Sequence, residues 1–281
     1  MLKKKNIKAI IFGFLIFAMA IAGYHCYCHY MTRQFYKSVD EGNTEEIIAC
    51  VRKMPNVNML DVCTPLYYIR RILFQGAADK GYPIYYAVWK QTDISVMEAL
   101  LERGADLNKK DYDLPLKCLL RYEQEDMYEK VKLFVKYGVD IHTEFVRIPA
   151  YWEQLSENEK EERMNTVIFL WECGIDEREY VGNKFEKTIL HDAAEFIETD
   201  YLETLYKNEK RPMYSLLNEK DVNGETPLFY AVRMKKPSNC EFLISEGADV
   251  NVRNNEGKTA YDIAVELGCE ECIEILESRT K

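Results

Sequence analysis

Short apolar segments recur at a nearly constant interval through most of the chain. In one of them Leu228, Ala231 and Val232 fall on one face of a helix. Leu243 and Ile244 do the same for a second helix that follows closely. Helices this short cannot bury their apolar faces alone, so the pattern predicts helix pairs that stack on neighbouring pairs. The chain is therefore predicted to be all-α and repetitive.

A Thr-Pro-Leu signature begins one predicted helix pair. A threonine hydroxyl can accept a hydrogen bond from a first-turn amide, and proline is tolerated at the first helical position because no N–H is needed there. We therefore expect Thr226 to cap its helix through the hydroxyl and Pro227 to begin it. Related starts are Tyr82-Pro83-Ile84, Leu114-Pro115-Leu116, Thr188-Ile189-Leu190 and Thr259-Ala260-Tyr261.

A glycine marks the end of each predicted pair. The series is Gly104, Gly138, Gly174 and Gly247, each followed by an alanine, valine or isoleucine and then an aspartate. Successive members lie 34, 36 and 73 residues apart, the last interval being about two repeats. We expect Gly247 to take the left-handed conformation that ends many helices.

These signals together resemble the ankyrin repeat, most closely over residues 221–254, and residues 92–109 resemble its second half. The resemblance implies an all-α ankyrin-repeat solenoid of about six to seven helix-turn-helix units over residues 34–281. The clearest units are 83–110, 111–142, 188–220, 221–253 and 254–281, and the divergent ones are 34–82 and 143–187. The structural motif residues are Thr188, His191, Gly224, Thr226, Pro227, Gly247 and Thr259, with His191 expected to hydrogen-bond between neighbouring units.

An uncharged stretch lies ahead of the repeats. Residues 1–8 form a basic flank with four lysines, and residues 9–31 are 23 residues without a charge, enough to cross a hydrocarbon core of about 30 Å. We predict a transmembrane helix over 9–31, with a cytoplasmic N-terminus and a repeat domain outside the cytoplasm, because flanking lysines favour the cytoplasmic side. Two alternatives stay open, namely cleavage of residues 1–22 as a signal peptide and a repeat domain that stays in the cytosol.

The charge balance narrows the choice of partner. The net charge is −10, and four of the 37 basic residues lie in the first eight positions, so the rest of the chain is more acidic still. An acidic body repels phosphate backbones, which argues against nucleic acid as a partner. The nine cysteines are odd in number and irregularly spaced, so we predict mostly reduced thiols, several of them in the core.

Candidate chemistry is sparse. Residues 25–29 read His-Cys-Tyr-Cys-His, but five consecutive residues rarely close a tetrahedral metal site. Cys269 and Cys272 are spaced like half of a zinc or redox site, but Cys272 falls at a core position of the repeat. Motifs for a phosphate loop, a zinc protease or a dinucleotide site are absent from the sequence. We therefore expect no catalytic residue, no metal and no cofactor.

What remains is a surface for another protein. First helices and hairpin tips of ankyrin-like stacks face a partner, and Tyr, Trp and Arg are enriched at binding hot spots. The candidate contact residues are Tyr68, Tyr86, Trp89, Tyr230 and Arg233. The leading hypothesis is a membrane-anchored scaffold or adaptor without catalysis. One alternative is an exported soluble inhibitor or protective protein with residues 1–22 removed, and another is an enzyme with its site in the divergent segment 143–187.

Overall fold

The computed structural model describes residues 4–58, 82–108, 114–121, 126–141, 148–175 and 186–279. Side chains of residues 1–15, 18, 25 and 29 also lie outside the described set. Within it every regular element is a helix. The α-helices are α1 (Lys4–Glu41), α2 (Thr44–Lys53), α3 (Pro83–Trp89), α4 (Ile94–Glu102), α5 (Pro115–Arg121), α6 (Met127–Lys136), α7 (Glu157–Glu172), α8 (Ile189–Phe196), α9 (Thr199–Tyr206), α10 (Pro227–Arg233), α11 (Pro237–Ser245), α12 (Ala260–Leu267) and α13 (Glu270–Glu277). Short 3₁₀ turns lie at Trp152–Gln154 and Tyr214–Leu216.

The chain folds as two compact units, unit 1 (Met1–Val139) and unit 2 (Asp140–Lys281). Unit 1 holds three helix pairs, α1–α2, α3–α4 and α5–α6, and each helix also packs on its counterpart in the next pair. Phe35, Val51, Leu100 and Phe134 are buried along this stack. The pairs bury each other's apolar faces, as expected of short amphipathic helices.

Helix α1 joins two predicted segments in one element. It runs unbroken for 38 residues, from the basic flank through the predicted transmembrane stretch to the first predicted repeat. Its C-terminal part packs against α2 and α3. Among the described residues, none of the helices combines the length and apolarity needed to cross a membrane. The predicted span starts at Ala9, where side chains lie outside the described set, and it stays a prediction.

Unit 2 contains three regular helix pairs, α8–α9, α10–α11 and α12–α13, which stack in that order. Asn239 on α11 is buried and donates through its amide to the carbonyl oxygens of Ala194 (3.2 Å) and Ile197 (2.9 Å) at the end of α8. These bonds satisfy helix-end carbonyls that would otherwise lack partners. They also tie the α10–α11 pair to the α8–α9 pair before it.

The divergent segment contributes one helix and a partly buried polar network. Ser156 and Glu159 form a capping box at the start of α7, a 16-residue helix. The indole N–H of Trp152 donates to Glu198 (2.5 Å), and the ammonium group of Lys160 lies 2.7 Å from the same carboxylate. Glu198 is the N-cap of α9, so this network docks α7 onto the first regular pair. The contacts assign these groups a structural role.

Candidate protein-binding face

The start of α8 is built around His191. The backbone N–H of Thr188 donates to Nδ1 of His191 (3.0 Å), and Nε2 donates to the carbonyl oxygen of Glu225 in the next pair (3.0 Å). Burial lowers the pKa of His191 to about 4, so the ring is neutral at pH 7 and Nδ1 is free of a proton. His191 therefore joins two neighbouring repeats through one neutral ring.

The start of α10 differs from the sequence-based expectation. Thr226 occupies the N-cap position, but its buried hydroxyl has no hydrogen-bond partner among the described residues. The predicted hydroxyl cap is therefore wrong at this helix, and Pro227, which lacks an N–H, begins it without one. At α12 the cap is present, because Thr259 accepts from the amide of Asp262 (3.2 Å) and Asp262 accepts from the amide of Thr259 (2.8 Å).

Two glycines shape the turns that flank α10 and α11. Gly224 has φ +75°, and a Cβ there would lie 2.7 Å from Oδ1 of Asn255 in the next hairpin. The amide of Asn255 donates to the carbonyl oxygen of Asn223 (2.9 Å), so adjacent hairpin tips touch at this point. Gly247, just after α11, has φ +103°. Both positions require a residue without a side chain.

Ion pairs repeat along unit 2 with a fixed spacing. The residue before each threonine N-cap pairs with the residue eight positions later, on the last turn of the first helix. The pairs are Lys187–Glu195 (2.6 Å), Glu225–Arg233 (2.9 Å from Nε) and Lys258–Glu266 (2.8 Å). We call these three pairs the charge ladder. The sign reverses from one rung to the next, so neighbouring rungs also present opposite charges to each other.

The charge ladder was missed in the sequence analysis, although its signal is present in the sequence. Opposite charges at i and i+8 around a helix start mark each rung, and Asp113 and Arg121 have the same spacing in unit 1. Asp113 lies outside the described residues. Two large apolar side chains were missed as well. Met234 and Leu267, directly after Arg233 and Glu266, are 45 % and 37 % exposed.

Tyr230 lies beneath the ladder and is only 6 % exposed. Its hydroxyl donates to Asp221 (2.8 Å), and the ammonium of Lys187 sits 4.0 Å from the centre of its ring. Burial, followed by the hydrogen bond to Asp221, raises its pKa. Tyr230 thus packs inside unit 2, while Arg233 exposes 42 % of its side chain.

Unit 1 carries an exposed tryptophan at the position equivalent to Arg233. Trp89 is 41 % exposed, and the ammonium of Lys90 lies 5.0 Å from its ring centre and 3.2 Å from Asp40. We call Asp40, Trp89 and Lys90 the Trp89 patch. Tyr86 is 3 % exposed and donates to Asp40 (2.5 Å), and burial raises its pKa above the ordinary value. Tyr86 therefore supports the patch from inside.

The five predicted contact residues separate into three groups. Tyr68 lies outside the described residues. Tyr86 and Tyr230 are buried by their own units, since each hydroxyl reaches a carboxylate in the chain, and their rings have little surface left for a partner. Trp89 and Arg233 are exposed. Partner contact by any of the five stays a prediction.

The cysteines depart from the sequence analysis at one place. Cys269 and Cys272 form a disulfide, with Cα atoms 5.3 Å apart, whereas the sequence analysis predicted mostly reduced thiols and a core position for Cys272, which is indeed buried. The N-cap and third residue of a helix approach within the range that a disulfide spans, so neighbours on one turn can pair. Cys240 is a buried free thiol whose pKa burial raises to about 12. Across the described residues no cluster of metal-ligating side chains occurs.

Comparison with known proteins places these features in a family. A family model described as ankyrin repeats (3 copies) matches residues 190–280. The human NAD-capped RNA hydrolase NUDT12 is 46 % identical over 54 residues, which is 19 % of this chain and 12 % of that protein. The ankyrin repeat domain-containing protein OPG023 of monkeypox virus is 29 % identical over 187 residues, covering 65 % of this chain and 24 % of that protein. The chain thus spans less than a quarter of the length of either relative.

A solved structure extends the likeness in fold. The human ASB11 ankyrin repeat domain superposes with a TM-score of 0.58 at 17 % identity, covering 87 % of this chain and 96 % of that domain. At this low sequence identity, the similarity supports a shared fold and gives no information about a shared function. The family match shows that residues 190–280 are ankyrin repeats, in agreement with the repeated helix starts and the His191 bridge between neighbouring pairs.

Proposed function

We propose that this chain is a non-catalytic protein-binding module whose binding face in unit 2 consists of the charge ladder with Met234 and Leu267. The observation that carries the proposal is the pairing of exposed apolar side chains with fixed charges at equivalent ends of α10 and α12. Protein interfaces combine an apolar centre with a polar rim in this way. Stacked repeats hold such groups on rigid elements, which lowers the entropy lost on binding.

The ladder also determines what a partner must offer. Its three rungs are neutral as a set, although the chain as a whole is acidic. A strongly basic partner would gain little electrostatic attraction on this face, since each carboxylate of the ladder is already paired with a lysine or arginine of the ladder. A partner with an apolar centre and mixed charges at its edge fits better. Arg233 is the rung member best suited to a hot spot because it is exposed and held by two bonds to Glu225.

Site-specific photocrosslinking tests this face. A benzoylphenylalanine placed at Met234 in the full-length chain is expected to capture a partner in cells that express the protein. The same group at Glu241, exposed on α11, serves as the matched control. The adduct should disappear when Arg233→Glu and Leu267→Asp are added. Equal capture at both positions, or an adduct that survives those changes, would contradict the proposal.

Membrane anchoring through residues 9–31 forms the second part of the proposal, with the N-terminus in the cytoplasm and the repeats outside. It is supported by the uncharged run and by the lysines ahead of it. The rival is an exported soluble inhibitor that has lost residues 1–22. Intact-mass measurement after expression in a membrane-bearing host separates the two. A mass lacking residues 1–22, with the protein in the soluble fraction after alkaline extraction, favours the rival.

A further inference from the structure

Between residues 16 and 24, the described side chains of α1 are exposed around the helix. Ile16, Phe17, Met19 and Ile21 are large, apolar and 46–65 % exposed. Successive residues of an α-helix are rotated by about 100°, so these four cover about 200° of the circumference, and the exposed Ala22 faces the remaining side. A groove on a partner protein covers one side of a helix, whereas a lipid bilayer surrounds it. The geometry therefore favours lipid over a protein partner for this segment.

The surroundings of α1 change at Cys28. Cys28, Met31 and Phe35 are buried. Further along the helix, Ser38 contacts Cys50 of α2 and Tyr36 contacts Tyr86 of α3. Lipid cannot surround a helix whose one side is covered by protein. A bilayer that surrounds α1 would therefore end before Cys28, ahead of the boundary that the sequence analysis set at Met31. Exposed Tyr24 and Tyr27 stand just before this change, where interfacial tyrosines are commonly found.

We infer that the bilayer surrounds α1 only as far as Tyr24–Tyr27, and that the same unbroken helix continues as the first repeat helix and holds unit 1 at the membrane surface. This rests on the proposed anchoring. Residues 9–27 would span about 28 Å as a helix, which matches a hydrocarbon core of about 30 Å. A flexible linker is thus absent between the segment in lipid and the described repeats of unit 1.

The continuous helix limits how far unit 1 reaches from the membrane. Asp40 lies thirteen residues after Tyr27, which is about 20 Å along the axis. Because Asp40 belongs to the Trp89 patch, that patch lies no more than about 20 Å above the interface, and closer if the helix tilts. A protein that binds the Trp89 patch must present its own site within that distance of the bilayer.

Spin labelling tests where lipid ends. The full-length chain is reconstituted in vesicles of phosphatidylcholine and phosphatidylglycerol, with one reporter at a time. The reporters are Phe17→Cys, Ile21→Cys, Tyr24→Cys, Tyr27→Cys and Tyr30→Cys, in a background of Cys26→Ser, Cys50→Ser, Cys63→Ser and Cys173→Ser. Labels at 17 and 21 should be accessible to oxygen and shielded from a water-soluble nickel chelate. The label at 30 should show the reverse, with the crossover at 24–27.

The outcomes separate the inference from the anchoring on which it rests. Chelate access at all five positions would overturn both. Lipid exposure that continues through position 30 would leave the anchoring intact and overturn the proposed boundary.

A second measurement tests the rigid connection. In the same background and vesicles, a fluorophore at Lys37→Cys should lie about 15 Å from the interface, measured by energy transfer to labelled lipids. Four alanines inserted after Tyr27 should raise it by about 6 Å, and a Gly-Ser-Gly-Ser insert should broaden the distance distribution. An uninserted protein with a distribution as broad as that of the Gly-Ser variant would show that the two segments are not rigidly joined.

Discussion

His191 should make the stability of unit 2 depend on pH. The ring is buried, its pKa is lowered to about 4 by burial, and both ring nitrogens are used as neutral imidazole uses them. In the unfolded chain the pKa returns to about 6.5. Between these two pH values the imidazole is protonated in the unfolded state and neutral in the folded state. The contribution of His191 to the free energy of unfolding is therefore fully present above pH 6.5 and is lost as the pH falls towards 4.

The magnitude follows from the two pKa values. Moving from pH 7 to pH 4.5 should cost about 2.5 kcal/mol from this one residue, since one pKa unit corresponds to about 1.4 kcal/mol. His191→Gln keeps a hydrogen-bond acceptor and a donor but does not titrate. The variant should therefore not show this loss of stability between pH 7 and pH 4.5. Many carboxylates titrate in the same pH range and also change the stability. Their effect is the same in both proteins, so it cancels in the difference in free energy of unfolding between the parent chain and the variant.

Urea unfolding followed by far-ultraviolet circular dichroism gives the measurement. The midpoint of the parent should approach or fall below that of His191→Gln as the pH drops from 7 to 4.5, closing the gap by about 1 M urea for a slope of about 2 kcal/mol/M. Repeat arrays can unfold in stages, so the transition assigned to unit 2 is the one compared. A gap that stays constant with pH, or a His191 pKa near 6.5 by NMR, would refute the reasoning.

Further predictions concern the hairpin and the charge ladder. Gly224→Ala should lower the free energy of unfolding by about 2 kcal/mol or more, because the new methyl group would contact Asn255 from a left-handed backbone. The control is Gly257→Ala, which has a similar φ but open space around the new methyl group, and it should cost about 1 kcal/mol. Glu225→Ala should cost about 1–3 kcal/mol, since it removes a buried acceptor for Arg233, and Glu266→Ala on an exposed rung should cost less than about 1 kcal/mol. Thermal and urea unfolding of each pair checks both statements. Equal effects of the two glycine changes would show that the contact with Asn255 does not matter, and equal effects of the two glutamate changes would show that burial of the ion pair does not.

Helix starts show how far sequence patterns reach. Thr226 and Thr259 occupy equivalent positions, and the sequence analysis assigned the first a hydroxyl cap. The structure places that cap at Thr259, where Asp262 returns a bond, and leaves the Thr226 hydroxyl without a partner among the described residues. Local sequence predicts that a helix begins at each threonine. Which capping bonds form depends on the third helical residue, which is Asp262 after Thr259 but Phe229 after Thr226, and on how the neighbouring repeat packs.

Local sequence alone determined that this chain is a row of short helix pairs, because apolar spacing, helix-start residues and turn glycines act over a few residues. Tertiary structure decided what each side chain on those helices does. It turned Tyr86 and Tyr230 inward onto carboxylates, left Trp89, Met234 and Leu267 outside, and assembled the charge ladder. Stacking decides burial, since the face of each pair is completed by residues more than thirty positions away, which local spacing does not specify.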